Sequence, residues 1–359
     1  MIPLKKQDGW RHFRSTLFDS SGALDKQCFS VLLWTHSKSA QDKEVVMLNI
    51  VFVECNTLGD DLDWTRFSDL GHVSFLNSPP IDEIPDLVAD ADIIVINKAP
   101  MNAVTLAKAS HVKLICVTAT GTNILDKNYL DKRGIAWTNV AGYATESVAQ
   151  HTFACLFYLL EKLPYYDHFV KCGDYEKSPI FTNIDKPFFE LKGKTWGIIG
   201  LGTIGRRVAD IARAFGCRVV YFSASGAAPQ EGYDQVGFDT LLAESDVVSV
   251  HAPLNSHTEH LMNRDAFKKM KSSAFFINVG RGPIVVEQDL ADAINAGEIA
   301  GAALDVMDQE PPAGGSPLLS IQDSEKLIIT PHIAWASNEA RRDLMGTVYE
   351  QIKEFTAQQ

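Results

Sequence analysis

The 359-residue sequence has no long hydrophobic run, no closely spaced pair of cysteines and no excess of positive charge. A membrane-spanning helix needs about 20 consecutive, mostly apolar residues, and no run in this chain approaches that length. The N-terminus also lacks the apolar core of a secretory signal peptide. The formal net charge of −12 argues against nucleic acid or an anionic membrane as the main partner, because both carry negative charge.

The six cysteines are scattered along the chain without any C-x-x-C pair. Most of them lie in apolar runs, which is typical of reduced, buried thiols rather than of disulfides or zinc ligands. We therefore expect a cytoplasmic protein without a bound metal. The apolar fraction of 46% and the charged fraction of 22% are those of a globular protein, and the length suits two domains of ordinary size.

Short apolar runs that suit buried strands alternate with helical patterns from Met47 to the end of the chain. In the first half, strands are predicted at 48–54, 72–77, 92–97, 113–119 and 135–140. In the second half, strands are predicted at 195–200, 218–223, 246–251, 274–279, 301–306 and 327–331. This alternation predicts an α/β fold with two parallel sheets. A long helix over 146–163 would connect the two units, and a last helix over 338–355 has no sheet of its own left to cover.

The first 46 residues differ from the rest, since residues 1–44 mix charged and aromatic side chains with little periodicity. This lack of periodicity predicts a loosely held N-terminal extension without a catalytic role. The alternative is an upstream start, with Met47 as the natural initiator. For the remainder we predict a substrate domain made of residues 47–147 and 333–359, and a dinucleotide-binding domain over 148–332. The last helix would then return to the first domain and make that domain discontinuous.

A glycine-rich turn joins the strand predicted at 195–200 to a helical pattern that starts at Thr203. Gly200, Gly202 and Gly205 fit the spacing G-x-G-x-x-G. In a dinucleotide site the first glycine forms the tight turn, the second lets the backbone approach the pyrophosphate, and the third allows close helix packing. A glycine turn before any helix can mimic this motif, but the strand and the helix on either side favour a dinucleotide site.

Ser223 follows the second strand of this unit, at the position where an acidic residue is usual in NAD sites. A serine can donate a hydrogen bond to a ribose hydroxyl or to a 2′-phosphate, and it repels neither group. No arginine follows within several residues to attract the phosphate. The alternative interpretation is an ordinary polar turn. We expect Ser223 to face the ribose, and the choice between NAD and NADP stays open.

Three polar residues, two of them charged, follow strand ends in the second unit, where the ligands of open α/β sheets bind. Arg281 stands between two glycines, and its guanidinium could clamp a substrate carboxylate through two parallel hydrogen bonds. Glu310 precedes two prolines, and His332 follows Pro331. Each residue has an ordinary alternative: a surface arginine in a turn, a solvated acid and a structural histidine. Their order at successive strand ends favours a catalytic set.

Several sequence blocks between Met47 and the C-terminus closely resemble the D-2-hydroxyacid dehydrogenases, which reduce 2-keto acids. The blocks are N-K-A-P at 97–100, A-T-G-T-N at 119–123, N-V-A-G-Y-A-T-E-S-V-A-Q-H-T at 139–152, the glycine motif, N-V-G-R-G at 278–282 and P-H-I-A-W-A at 331–336. The runs at 142–152, 223–226 and 332–336 are most similar to the glycerate dehydrogenase, or hydroxypyruvate reductase, branch of this family.

The resemblance implies two Rossmann-like domains: a flavodoxin-like substrate domain and an NAD(P)-binding domain with a doubly wound parallel sheet. It also implies that Arg281 holds the carboxylate and keto oxygen of a small 2-keto acid such as hydroxypyruvate or glyoxylate. His332 would protonate this oxygen as hydride reaches C2. Glu310 would hydrogen-bond the far ring nitrogen of His332, fix its tautomer and favour the imidazolium.

The resemblance further assigns contacts to the cofactor and the substrate, although plain packing would explain several of the apolar ones. The cofactor contacts would be Gly200, Gly202, Thr203, Ile204, Gly205, Ser223, His251, Ala252, Pro253, Val279, Gly280, Arg281, Asp305, His332 and Trp335. The substrate contacts would be Lys98, Ala99 and Gly121, through backbone N–H groups of their loops, together with Arg281 and His332. Asp305 has the alternative role of capping a strand turn, and the Lys98 side chain itself is expected to be solvated. The cofactor would be NAD(H), with NADP(H) left open, and the protein would be a homodimer joined through its dinucleotide-binding domain.

Phosphoglycerate dehydrogenase and D-lactate dehydrogenase are the alternative enzymes, because the resemblance gives them the same machinery with a different pocket. A different class, the nicotinamide-sensing corepressors, shares this fold and the same Arg, Glu and His residues. Such a binding protein needs a surface groove for partner peptides, and nothing in the sequence indicates one. Turnover of a 2-keto acid would separate the two classes.

Overall fold

The first half of the chain forms a parallel sheet of five strands, which confirms the five strands predicted there. The computed structural model describes residues 47–226, 228–312 and 314–358, so the predicted extension at 1–46 lies outside the described residues. The strands are β1 Leu48–Phe52, β2 Gly71–Phe75, β3 Ile93–Ile96, β4 Leu114–Val117 and β5 Ala136–Asn139. Their order in the sheet is β2-β1-β3-β4-β5. All residues of β3 and β4 are buried, because a parallel sheet is covered on both faces.

The second half forms a parallel sheet of seven strands, in which the six predicted strands are confirmed. The strands are β6 Thr195–Ile199, β7 Arg218–Phe222, β8 Asp234–Gln235, β9 Val247–Val250, β10 Phe275–Asn278, β11 Gly301–Leu304 and β12 Leu327–Ile329. Their order is β12-β11-β10-β9-β6-β7-β8. The two-residue edge strand β8 was not predicted. The strand order reverses between β6 and β9, and the crevice beyond the carboxyl ends of such strands is where doubly wound sheets bind ligands.

Helices connect and cover both sheets. They are α1 Ile84–Leu87, α2 Lys127–Arg133, α3 Thr145–Leu160, α4 Leu163–Lys171, α5 Thr203–Ala214, α6 Phe238–Glu244, α7 Arg264–Lys269, α8 Glu287–Ala296 and α9 Asn338–Ala357. Shorter 3-10 turns lie at Cys55–Thr57, Thr65–Asp69, Tyr175–Lys177, Gly282–Ile284, Pro317–Ser320 and Ser324–Lys326. Within the described ranges, no helix has both the length and the apolar character needed to cross a bilayer.

The long helix predicted over 146–163 corresponds to α3 Thr145–Leu160, which ends three residues earlier than predicted. Lys162 adopts a left-handed backbone conformation with φ 55°, which ends α3. Pro164 then lies in the first turn of α4, where its missing N–H removes no intrahelical hydrogen bond. Helix α4, which begins at Leu163, was not predicted.

The last helix, α9, packs against the first sheet rather than the second. Leu344, Met345, Val348 and Ile352 of α9 are buried in one cluster with Leu48, Ile50 and Phe52 of β1. Each fully buried aliphatic side chain of this kind stabilises the fold by about 1.5–3 kcal/mol. Helix α3 instead contacts α5, β10 and β11 of the second sheet. The domain boundaries near residues 147 and 332 stay a prediction.

Candidate active site

The glycine turn after β6 has the geometry that a pyrophosphate requires. Gly200 adopts φ 93°, and a Cβ on it would lie 2.8 Å from the backbone of Ala252. A Cβ on Gly205 would lie 2.2 Å from the carbonyl oxygen of Gly200, so α5 packs tightly against the turn. A Cβ on Gly202 would meet no described atom within 4 Å, and no hydrogen bond from a described side chain caps the start of α5. The open face at Gly202 and the N–H groups of the first helical turn therefore fit a dinucleotide phosphate.

The loop at 251–253 lies against this glycine turn, which places His251, Ala252 and Pro253 beside the proposed phosphate site. The His251 N–H donates to Ile199 O at 2.8 Å. Nε2 of His251 lies 3.0 Å from Ser249 Oγ, which also accepts a 2.8 Å hydrogen bond from Trp196 Nε1. Burial lowers the pKa of His251 to about 3, so its ring is neutral near pH 7. Nδ1 of His251 is buried and has no hydrogen-bond partner among the described residues.

Ser223 lies directly after β7, as the sequence predicts, and is partly exposed. Its Oγ is 3.2 Å from Ser225 Oγ, so the two hydroxyls occupy one turn. This turn is at the carboxyl end of the strand that neighbours β6, on the same edge of the sheet as the glycine motif. The proposed contact of Ser223 with a ribose stays a prediction.

Glu310 and His332 form a hydrogen-bonded pair. Nδ1 of His332 donates to Oε2 of Glu310 at 2.7 Å, and Oε1 of Glu310 accepts from the Met307 N–H at 3.1 Å. Partial burial raises the pKa of Glu310, but the hydrogen bond and the charge of His332 outweigh this effect and bring the pKa below its usual value. The pair is partly accessible, with 22% of the His332 side chain and 32% of the Glu310 side chain exposed. An ionised carboxylate on Nδ1 fixes the tautomer and leaves Nε2 as the nitrogen that can exchange a proton with a substrate.

Asp305 holds the loop that carries His332. Its buried carboxylate accepts the Ile333 and Ala334 N–H groups at 2.8 Å each, and the Thr330 hydroxyl at 2.6 Å. Nε2 of His151 bonds the same Thr330 hydroxyl at 3.0 Å. These bonds explain how His332 keeps a left-handed backbone with φ 56°, which is unfavourable for a non-glycine residue. The structure thus supports the alternative role of Asp305 as a cap, and its contact with the cofactor stays a prediction.

Arg281 follows β10 and faces the first half of the chain. Its Nη1 donates to Gly280 O at 2.7 Å. The Asn278 side chain fixes the turn, since Nδ2 donates to Arg281 O and Oδ1 accepts from the Gly280 N–H, each at 3.0 Å. A Cβ on Gly121 would lie only 2.6 Å from Nη2 of Arg281. The predicted contact residues Arg281 and Gly121 therefore lie side by side, at the place where the two halves of the chain meet.

The expected substrate contacts at Lys98 and Ala99 require a correction. The N–H groups of these two residues donate to Oε2 of Glu54 at 2.7 and 2.8 Å, so they are not free to bind a substrate carboxylate. The Lys98 side chain is exposed, and the charges of Glu310 and Arg281 both act on its ammonium. Burial is the main cause that lowers the pKa of Lys98. A contact of this loop with the substrate stays a prediction.

A small apolar cluster brings together several of the predicted cofactor contacts. Its members are Ala144, Val148 and Ala334, with Tyr143, Ile204, Val279 and Trp335 packed against them. The rings of Tyr143 and Trp335 meet edge to face at 6.4 Å. Burial raises the pKa of Tyr143 to about 12, and the charge of Arg281 acts on its hydroxyl. This cluster forms an apolar wall beside Arg281.

Sequence reasoning missed Glu54 and Tyr143 as residues of the site. Glu54 lies two residues beyond the end of β1, and the rule that singled out Arg281, a charged side chain just past a parallel strand, would also have found it. Tyr143 belongs to a block that carried the family resemblance, but no role was assigned to it. Among the described residues, no group of three His, Cys, Asp or Glu side chains is placed to hold a metal ion.

Comparisons with known proteins agree with this geometry. Residues 153–334 match the family model described as D-isomer specific 2-hydroxyacid dehydrogenase, NAD binding domain. The chain is 37% identical over 300 residues to hydroxypyruvate reductase of Blautia hydrogenotrophica, covering 82% of this chain and 92% of the relative. It is 39% identical over 276 residues to glycerate dehydrogenase of Methylorubrum extorquens, covering 77% and 86%. The D-lactate dehydrogenase of Aquifex aeolicus, solved with NAD and lactic acid, superimposes with a TM-score of 0.75 at 27% identity, over 86% of this chain and 96% of that structure.

The chain belongs to the D-isomer specific 2-hydroxyacid dehydrogenase family. It is an oxidoreductase of 2-hydroxy acids with an NAD-binding domain, which confirms the resemblance, the enzyme class and the α/β fold with two parallel-sheet domains.

Proposed function

We propose that the protein reduces a small 2-keto acid, hydroxypyruvate or glyoxylate, to the D-2-hydroxy acid. The observation that carries this proposal is the meeting of Arg281, the Glu310–His332 pair and the glycine turn at one edge of the second sheet. The relatives named hydroxypyruvate reductase, glycerate dehydrogenase and glyoxylate reductase support the substrate class.

Arg281 binds the substrate carboxylate and polarises the keto oxygen. Its planar guanidinium offers parallel N–H donors that match a carboxylate. Gly121 leaves room beside Nη2, because it has no Cβ at the place where one would contact the guanidinium. The lack of a side chain at this position lets a small 2-keto acid lie against both halves of the chain.

His332 donates a proton from Nε2 to the keto oxygen. Glu310 keeps the proton-bearing Nδ1 oriented and stabilises the positive ring before the transfer. The nicotinamide, when bound, supplies the hydride to C2. Tyr143, Val279 and Trp335 exclude water from that face of the site, since they pack into the apolar cluster beside Arg281.

The cofactor is NADH, with some tolerance for NADPH. Gly202, Thr203 and the first turn of α5 hold the pyrophosphate, and Ser223 faces the adenosine ribose. Serine lacks the charge with which an acidic residue repels a 2′-phosphate. The structure of SmGhrB from Sinorhizobium meliloti contains NADP, and that of the Aquifex aeolicus enzyme contains NAD, which supports the use of either cofactor within this fold.

The protein forms a homodimer through its dinucleotide-binding domain. The segment that follows α4 exposes several large apolar side chains: Ile180, Phe181, Ile184 and Phe188, with Phe181 90% exposed. A concentration of apolar side chains on the surface indicates a protein interface. Light scattering of the purified protein should give the mass of two chains. In Phe181→Asp the measured mass should shift toward the mass of one chain.

A substrate panel tests the proposed activity. Oxidation of NADH and NADPH is followed with hydroxypyruvate, glyoxylate, pyruvate and phosphohydroxypyruvate. We expect the highest kcat/KM with hydroxypyruvate or glyoxylate. A preference for phosphohydroxypyruvate or pyruvate would instead identify a phosphoglycerate or D-lactate dehydrogenase. Tight NADH binding without turnover of any keto acid would indicate a corepressor-like binding protein.

A further inference from the structure

One carboxylate oxygen in the first half of the chain binds three successive backbone N–H groups. Oε2 of Glu54 accepts hydrogen bonds from Asn97, Lys98 and Ala99 at 2.8, 2.7 and 2.8 Å. Glu54 follows the end of β1, and the three donors follow the end of the neighbouring strand β3. The carboxylate therefore ties together the carboxyl ends of two adjacent parallel strands.

These hydrogen bonds are of a strong type. Successive N–H groups that converge on one point form a concave anion site, and bonds to an ionised acceptor are about twice as strong as neutral ones. A second layer closes the arrangement, since Nδ2 of the buried Asn97 donates to Thr57 Oγ1 at 2.9 Å, and this hydroxyl donates to Glu54 O at 2.7 Å. The turn at 97–99 is thus held by hydrogen bonds from its backbone N–H groups and from the Asn97 side chain.

The turn carries one charged side chain, that of Lys98. The charges that act on this ammonium belong to Glu310, Arg281 and Glu54. Although Lys98 keeps exposed surface, the surrounding atoms partly desolvate its ammonium and lower its pKa. A partly desolvated cation that is close enough to Arg281 and Glu310 for their charges to act on it is suited to an anionic substrate.

We propose that Glu54 is a positioning residue: by binding the N–H groups of the 97–99 turn, it directs the Lys98 ammonium to join Arg281 in binding the substrate carboxylate. This inference rests on the proposed function, because it concerns the same keto-acid site. Glu54 itself does not touch the substrate. Its effect reaches the substrate only through Lys98.

Steady-state kinetics of four variants test the inference. In Glu54→Gln the uncharged amide holds the turn more weakly, and in Lys98→Met the cation is lost. We expect each to raise KM for the keto acid roughly tenfold, as for the loss of one charge-assisted hydrogen bond, with kcat and NADH affinity nearly unchanged. The KM of the double variant should not exceed that of Lys98→Met, because Glu54 acts through Lys98. Glu54→Ala should raise KM more than Glu54→Gln does.

An exposed acid–lysine pair of the same half of the chain supplies the matched controls. Asp86 and Lys108 bond each other on the surface, and Asp86→Asn and Lys108→Met should keep the wild-type KM. An unchanged KM in Glu54→Gln, or effects of Glu54→Gln and Lys98→Met that multiply in the double variant, would overturn the inference while leaving the proposed function intact.

Hydrogen exchange of the free protein gives a readout that does not depend on turnover. The amides of Lys98 and Ala99 should exchange slowly in the wild type and much faster in Glu54→Ala, with the rest of the first sheet unchanged. Equal exchange rates in the two proteins would overturn the positioning role. If the wild type turned over none of the four keto acids, the proposed function would fail, and the substrate-binding part of the inference would fail with it.

Discussion

Nδ1 of His332 donates a 2.7 Å hydrogen bond to Oε2 of Glu310, although the two residues come from loops after different strands of the second sheet. Asp305 fixes the loop that carries His332 by accepting two of its N–H groups. The second carboxylate oxygen of Glu310 is held by the Met307 N–H. The orientation of the imidazole is therefore set from both sides before a substrate arrives.

Removal of the imidazole should abolish most of the turnover. His332→Ala is expected to lower kcat by a factor on the order of 10² to 10⁴, the usual contribution of a positioned general acid. NADH affinity, measured by fluorescence titration, should change little, because the pyrophosphate site is formed by the glycine turn. Near-normal turnover in this variant would remove His332 from the mechanism.

A methyl group on Gly121 should displace Arg281. The added Cβ would lie 2.6 Å from Nη2, and the long arginine side chain can move away, so Gly121→Ala is expected to fold normally. The displaced guanidinium would then raise KM for the keto acid and lower kcat/KM. Arg281→Lys should lower the same ratio, because an ammonium does not reproduce the planar guanidinium. An unchanged KM in Gly121→Ala would show that Arg281 does not bind the substrate in the position seen here.

Two alanine substitutions in the glycine turn should separate cofactor binding from folding. A Cβ on Gly202 meets open space, so Gly202→Ala should keep the wild-type melting temperature but bind NADH more weakly, because the methyl group would occupy the approach of the pyrophosphate. A Cβ on Gly205 lies 2.2 Å from Gly200 O, so Gly205→Ala should lower the melting temperature even without cofactor. Full NADH affinity in Gly202→Ala would argue against a phosphate at this turn.

An acid at position 223 should shift the cofactor preference. Ser223→Asp would place a negative charge near the 2′-phosphate of NADPH, and like charges at short range cost several kcal/mol. We expect kcat/KM with NADPH to fall much more than with NADH. If the ratio of the two values stayed the same, Ser223 would not face the ribose.

Buried His251 should make the protein sensitive to acid. Its pKa is lowered from 6.5 to about 3 in the folded state, so between these values the unfolded chain binds a proton that the folded chain does not. The neutral His251 ring therefore does not lower the free energy of unfolding above pH 6.5. As the pH falls from 6.5 toward 3, this free energy decreases by on the order of 1 kcal/mol per pH unit. Urea unfolding of the wild type and of His251→Gln at pH 7 and pH 5 should show a smaller loss in the variant. Equal losses would assign the acid sensitivity to other groups.

Most of the fold could be predicted from the sequence because its strands are buried on both faces and read as continuous apolar runs. The edge strand β8 escaped prediction, since two residues are too few to form a pattern. Helix α4 was also not predicted, because none of its 9 residues is buried and it therefore shows no core-facing apolar pattern.

Candidate site residues could be predicted where a short sequence pattern singles them out, as around Arg281 and His332. Contacts between segments that are distant in the sequence could not be predicted. That Oε2 of Glu54 occupies the N–H groups of Lys98 and Ala99 depends on the pairing of β1 with β3, which no local pattern reveals. For the same reason, the family resemblance predicts that backbone N–H groups of the Lys98 loop bind the substrate, whereas two of them bind Glu54.

In the proposed function, a 2-keto acid is reduced at the site formed by Arg281, His332 and Glu310. The most direct test follows NADH absorbance with hydroxypyruvate and glyoxylate for the purified wild type and for His332→Ala. We expect keto-acid-dependent oxidation of NADH by the wild type and, in the variant, a kcat lower by a factor on the order of 10² to 10⁴ with NADH still bound. A wild type that binds NADH but oxidises it with neither keto acid would show that the proposed function is wrong.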